Sequence, residues 1–178
     1  MEGGVLKAKI VFVNAVSALR FPLAALTAWA MWAGRWEIAA AAYASGLVTD
    51  WIDGPIARAL KAETEFGREW MEPAADLALL AGGIVGLVLI GIVPWWALAL
   101  LAVGDRCVNY LVKPRVKRPQ RILFVQAVFL EGTIAVISVF LLYRVDPRLA
   151  VAAVASAPIV AYAKRRRIRE FAAWCFRE

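Results

Sequence analysis

Four acidic side chains, Asp50, Asp53, Glu72 and Asp76, hold the chemistry that this sequence offers most openly. All fall in the stretch TDWIDGPIARALKAETEFGREWMEPAAD, from Thr49 to Asp76, between or beside long apolar runs. A charged side chain near the middle of a spanning helix costs about 2.5–3.5 kcal/mol on insertion scales, and such residues usually mark function. Acids brought to one place also repel each other unless something cationic sits among them, and a divalent metal is the simplest answer. At about 100° per helical residue, Asp50 and Asp53 lie about 60° apart, and Glu72 and Asp76 about 40° apart. Each pair therefore shares a face. The chain has no histidine, and oxygen-only ligands favour a hard cation, Mg²⁺ first and Mn²⁺ second. Proton transfer must then use a carboxylate, Lys, Tyr, Cys or water.

The neighbours of these acids are small. Gly46, Gly54 and Ala57 fall on the same helical face as Asp50 and Asp53, within about 100° of arc. They leave open volume for a ligand to approach the backbone, or they let another helix pack closely; both readings stand. Pro55 has no N–H to give the Trp51 carbonyl, which is left for a metal or water, or simply marks a kink. Arg58, one turn beyond Gly54, can neutralise a phosphate or act as a topology charge.

The elements that must position these groups follow from composition. The chain has 178 residues, 62% of them hydrophobic, with a mean hydropathy of +0.67. A soluble domain of that size cannot hide so much apolar surface, so the expectation is an all-α polytopic membrane protein. The net charge is +7 and the pI near 9.8, but the charges sit at the ends of apolar runs. They read as topology and as attraction to anionic lipids or phosphates rather than to nucleic acid. The basic run Lys164–Arg169, followed by Phe171, Trp174 and Phe176, reads as an interfacial amphipathic tail. Cys107 and Cys175 are far apart and read as packing residues. Lys7 and Lys9 precede an apolar run to Ala33 that is long enough to span, so it reads as a retained helix, not a cleaved signal.

Six transmembrane helices fit the apolar runs: roughly Asn14–Ala33, Trp36–Leu60, Gly67–Ile90, Pro94–Val112, Ile122–Tyr143 and Pro147–Ala163, with a short interfacial helix in residues 1–13. No repeat or linker interrupts them, so residues 1–178 read as a single domain. Lys7, Lys9, Arg58, Lys61, Arg68, the Lys113–Arg121 cluster and Lys164–Arg169 fall on one side; Arg35, Arg144 and Arg148 fall on the other. The excess of basic charge places both termini in the cytoplasm, with the acids at the cytoplasmic ends of the second and third spans. Trp29, Trp32 and Trp36 on one side and Trp70 on the other suit interfacial belts.

Asp50-x2-Asp53-Gly54-x2-Ala57-Arg58-x8-Gly67 resembles the signature of the class I CDP-alcohol phosphatidyltransferase family, D-x2-D-G-x2-A-R-x8-G-x3-D-x3-D. It matches every fixed position through the second glycine, and size and six-span topology extend the resemblance to the whole chain. Asn14-x2-Ser17-x2-Arg20 also looks like the family's polar opening to its first span. The match then breaks: the family's third and fourth aspartates fall on Met71 and Ala75. Glu72-Pro73-Ala74-Ala75-Asp76 resembles the usual D-P-x-A-D with one residue inserted and Glu replacing Asp. One extra residue turns a regular helix by about 100°. Either it lies in a loop before a helix starting near Pro73, or it forms a π-bulge.

The resemblance implies a transferase that moves a phosphatidyl or archaetidyl group from CDP-diacylglycerol or CDP-archaeol to an alcohol and releases CMP. In that reading Asp50, Asp53, Glu72 and Asp76 hold Mg²⁺ or Mn²⁺, two ions in all. Asp50, Gly54, Ala57, Arg58 and Gly67 frame the CDP moiety, and Asp76 takes the proton of the acceptor hydroxyl. The family also implies a homodimer in the cell membrane with its site on the cytoplasmic side. Lys113, Arg115, Lys117 and Arg118 in the loop, with Arg106 deep in the fourth span, suggest a phosphorylated acceptor. Glycerol 3-phosphate is expected first, with inositol phosphate or another alcohol as alternatives. A different class also stays open: a non-catalytic CDP-lipid-binding membrane protein with a degenerate site.

Overall fold

Apolar runs broken by Gly-Arg, by Pro and by charged clusters divide the chain into helices, and the computed structural model places them as follows. It describes residues 2–60, 62, 64, 67–96, 99, 103, 119–163, 169 and 173. Its contacts divide the chain into two units, Met1–Val93 and Pro94–Glu178. The first holds α1 (Glu2–Ala18), α2 (Arg20–Trp32), α3 (Trp36–Leu60), a π-helical turn (Gly67–Met71) and α4 (Glu72–Leu89). The second holds α5 (Pro119–Val145) and α6 (Pro147–Ala163). There is no strand among the described residues.

Helices α3 and α6 have the predicted bounds. The first span does not: the break expected between residues 13 and 14 lies at Leu19 instead. Pro22 is the cause, because it has no N–H to give the Ala18 carbonyl. The ladder otherwise continues through the gap, with Leu19 N donating to Ala15 O at 3.1 Å and Leu23 N to Leu19 O at 3.2 Å. Ala8–Trp32 is consequently one apolar stretch of 25 residues, long enough to cross a bilayer, as is Val128–Val145; Pro73–Leu89 is a shorter apolar helix. Helix α5 starts at Pro119 rather than Ile122, with proline in the first turn, where its missing donor matters least. The fourth predicted span, Pro94–Val112, lies mostly outside the described residues.

In the first unit α2 packs chiefly on α4 and α3. Glycine makes the approach possible. A Cβ built on Gly82 would stand 2.5 Å from the backbone carbonyl oxygen of Ala24, and one on Gly86 would run into Met31. Gly82 and Gly86 form a G-x3-G pattern, which brings helix backbones close where no water drives association. The pairs Arg20–Asp76, Ala24–Gly82 and Met31–Gly86 ascend together, so α2 and α4 run parallel. Gly46 meets Leu79, and Asp53 meets Arg20, so α3 runs against both. Gly34 (φ +71°) and Gly91 (φ +76°) turn the chain after α2 and after α4 in the left-handed region that favours glycine. At this end Arg35 lies over the Trp29 ring, 5.8 Å from its centroid.

Helix α1 closes the other end, where Val13 packs with Ala57 and Ala62 against Ile10, Ile56 and Leu60. Large apolar side chains such as Phe12, Trp51, Leu77 and Leu89 face outward, as expected of a surface covered by lipid. Gly82→Ala is expected to lower the thermal midpoint in detergent, since overpacking against backbone costs about 1–3 kcal/mol. Gly132→Ala, where nothing lies within 4 Å of the added carbon, should leave the midpoint unchanged or raise it.

Candidate active site

A single guanidinium ties the acids together. Arg20, the first residue of α2, is fully buried and is paired with Asp50, Asp53 and Asp76. Its Nη1 donates to Asp50 Oδ1 at 3.0 Å and also to Asp76 Oδ1, while Nη2 donates to Asp53 Oδ2. Ser17, one turn earlier, donates its hydroxyl to the same Asp53 oxygen at 3.0 Å. Asp53 is buried, whereas the side chains of Asp50 and Asp76 stay 44% and 39% exposed. The cluster thus has a closed floor, made by Arg20, Ser17 and Asp53, and an open rim, made by Asp50 and Asp76.

Each helix delivers its group for a local reason. Asp50 and Asp53 share one face of α3, as their spacing requires. Asp76 lies one turn into α4, and only because the residue inserted ahead of Glu72 is absorbed upstream. The π-helical turn Gly67–Met71 takes it up, which is what a π-bulge does with one added residue. A regular helix would have rotated Asp76 away by about 100°. Gly67 opens that turn with its N–H donated to Thr64 Oγ1 at 3.0 Å. A Cβ there would stand 3.0 Å from Thr64 Oγ1 and 3.2 Å from Asn14 Oδ1. Asn14, Ser17 and Arg20 therefore reach the turn and the acids at successive levels along α1 and α2.

The small residues divide. Gly46 is occupied by Leu79 and serves helix packing, and Ala57 is buried with Val13 and Ala62. Gly54 differs: the atoms nearest an added Cβ belong to the Arg58 guanidinium, at 3.4 Å. Arg58 is exposed and folds back over Gly54, which leaves this part of the face reachable from outside. Glu72 is the first residue of α4, but its side chain lies outside the described residues. So do Arg106, Lys113, Arg115, Lys117 and Arg118.

Sequence reasoning assigned the cationic partner of the acids to a metal and treated Arg20 only as part of a polar opening. The available signal was the one already applied to the acids: an arginine between Leu19 and Phe21 in an apolar run needs a partner. With the Arg20 guanidinium among them, no three His, Cys, Asp or Glu side chains of the described residues surround a common ion position. The carboxylates converge on Arg20 instead.

The model of the CDP-alcohol phosphatidyltransferases matches residues 10–164 and so runs across both units. The chain belongs to that family. Two relatives, from Mycobacterium tuberculosis strains CDC 1551/Oshkosh and ATCC 25618/H37Rv, are each named "Probable phosphatidylglycerophosphate synthase". Both are 35% identical to this chain over 74 residues, which are 42% of this chain and 35% of theirs. The match therefore spans about a third of those relatives' length. No solved structure matches significantly. Members of this family of phosphatidyltransferases are embedded in membranes, and the apolar helices fit that setting.

Removing the Ser17 hydroxyl leaves Asp53 with one donor fewer in a buried place. Ser17→Ala is expected to cost about 1–3 kcal/mol in unfolding free energy, and Ser17→Thr, which keeps the hydroxyl, should cost less. Denaturant melts of the two variants in one detergent check this.

Proposed function

We propose that this protein transfers a phosphatidyl group from a CDP-linked lipid to an alcohol, releasing CMP, with glycerol 3-phosphate as the acceptor. The observation that carries the reading is that Asp50, Asp53 and Asp76 meet despite the residue inserted between the two halves of the signature. The name borne by the two relatives and the basic stretch Lys113–Arg121 support glycerol 3-phosphate among the acceptors. Six spans in one domain, cytoplasmic termini and a site at the cytoplasmic face of the cell membrane belong to the same proposal, as does a homodimer. CDP-diacylglycerol or CDP-archaeol would be the donor.

Donor chemistry fits Mg²⁺ or Mn²⁺. The carboxylates are oxygen ligands, and Asp50 and Asp76 remain accessible at the rim. Asp50, Asp53, Glu72 and Asp76 would hold the ion or ions. When bound, they supply positive charge to neutralise the diphosphate. The chain's own residues do the rest. Gly54 lets the diphosphate approach the backbone of α3, and Arg58 offers it a charge-assisted donor. The acceptor oxygen bonds to the β-phosphorus as the bond from that phosphorus to the CMP oxygen breaks. The proton of the hydroxyl passes to Asp76, the accessible carboxylate on the opposite helix. Positioning and charge neutralisation carry most of such a transfer.

The test is purified protein in lipid nanodiscs with CDP-diacylglycerol, Mg²⁺ and either glycerol 3-phosphate, inositol phosphate or serine. Mass spectrometry should find CMP together with phosphatidylglycerophosphate. Asp76→Asn and Asp53→Asn should each slow release by about 10²-fold or more. CDP-lipid binding with no CMP from any acceptor would favour the non-catalytic reading.

A further inference from the structure

Arg20 occupies the place where a bound cation would be expected, and this sets its role apart from a structural ion pair. Its guanidinium reaches carboxylates on two different helices, with Asp50 and Asp76 sharing the same nitrogen. One positive group among three carboxylates leaves the cluster with surplus negative charge when all are ionised. In surroundings poorer in water than the bulk, that surplus attracts a further cation strongly. The fork is also not fully engaged: Arg20 Nε is buried without a hydrogen-bond partner among the described residues. A buried guanidinium with an unmet donor is held less firmly than one with every donor paired.

We propose that Arg20 is a resident counter-ion that holds the three carboxylates together before a divalent cation arrives and competes with that cation for them. The inference rests on the metal reading above. Its physical content is a division of labour. Without the guanidinium, the acids of α3 and α4 repel each other and the two helices part at that level. With it, the acids stand pre-assembled, and the affinity for the divalent ion is lower than a bare cluster would give. Arg20 is a positioning residue in this account: it acts through the carboxylates and touches no substrate. Asp53, fixed by both Arg20 and Ser17, stays with the floor, while Asp50 and Asp76 at the exposed rim are the ones to trade partners.

The experiment titrates Mn²⁺ into purified protein in detergent without any CDP-lipid, following free Mn²⁺ by electron paramagnetic resonance and the thermal midpoint with and without EDTA. Four variants accompany wild type: Arg20→Gln, Arg20→Lys, Asp53→Asn, and Arg35→Gln as a charge change at the far end of the unit. Arg20→Gln is expected to melt lower than wild type in EDTA, to bind Mn²⁺ at least tenfold more tightly, and to gain more in midpoint from Mn²⁺ than wild type does. Arg20→Lys keeps a charge but cannot fork to three acids, so it should bind Mn²⁺ about threefold more tightly; it decides the matter if Arg20→Gln does not fold. Arg35→Gln should match wild type. Mn²⁺ affinity that is lost in Asp53→Asn yet unchanged in the Arg20 variants overturns the competition and leaves the metal reading standing. Binding that is absent from every protein, or indifferent to Asp53→Asn, overturns both.

Discussion

A buried guanidinium gripped by carboxylates from two helices is the constraint that the first unit is built to satisfy. Taking an arginine wholly out of water is expensive, and it is tolerated only when several acceptors replace the lost hydration. Here the acceptors come from positions 50, 53 and 76, so α3 and α4 must each bring those positions level with the start of α2. Losing one partner of a buried pair costs about 3–5 kcal/mol, because the remaining charge is stranded. The pairing therefore fixes the mutual height of the helices more sharply than apolar contacts alone, which tolerate sliding.

The glycines of α4 serve the same end. Gly82 against Ala24 and Gly86 near Met31 let α2 and α4 run side by side at close range. Two parallel helices start together, so Arg20 and Asp76 fall opposite one another near the first turn of each. From Arg20 to Trp32 is about 18 Å along the helix axis. Exposed tryptophans stand at both ends, Trp32 beside the glycine turn and Trp70 in the π-helical turn, where amphipathic rings suit a bilayer boundary. The acids thus lie toward the Trp70 end of the first unit rather than midway along it.

Much of this was legible in the sequence. Helices α3 and α6 were bounded correctly because Gly34-Arg35 and Asp146-Pro147 end apolar runs unmistakably. The boundary near residue 13 was misplaced because the change from polar to apolar residues there has no backbone consequence, whereas the missing donor of Pro22 does. Gly46 and Gly54 could not be told apart from their shared helical face. Only the atoms nearest each separate them, Leu79 of α4 in one case and the tip of Arg58 from the same helix in the other. Arg20 was overlooked because a cation was sought outside the chain. The two ways of accommodating the inserted residue were both visible beforehand, and no rule of spacing could choose between a loop and a widened turn.

That widened turn bears on how such sites relate to their motifs. A spacing pattern counts residues along a chain, but a site needs oxygen atoms at places in space. Five residues of π-helix, Gly67 to Met71, decouple the two: with one residue more than the motif counts, Asp76 still reaches the guanidinium that Asp50 and Asp53 share. Chains rejected by a fixed-interval pattern can therefore keep the same constellation, and the surest sign of kinship lies in where the side chain arrives rather than in how many steps precede it.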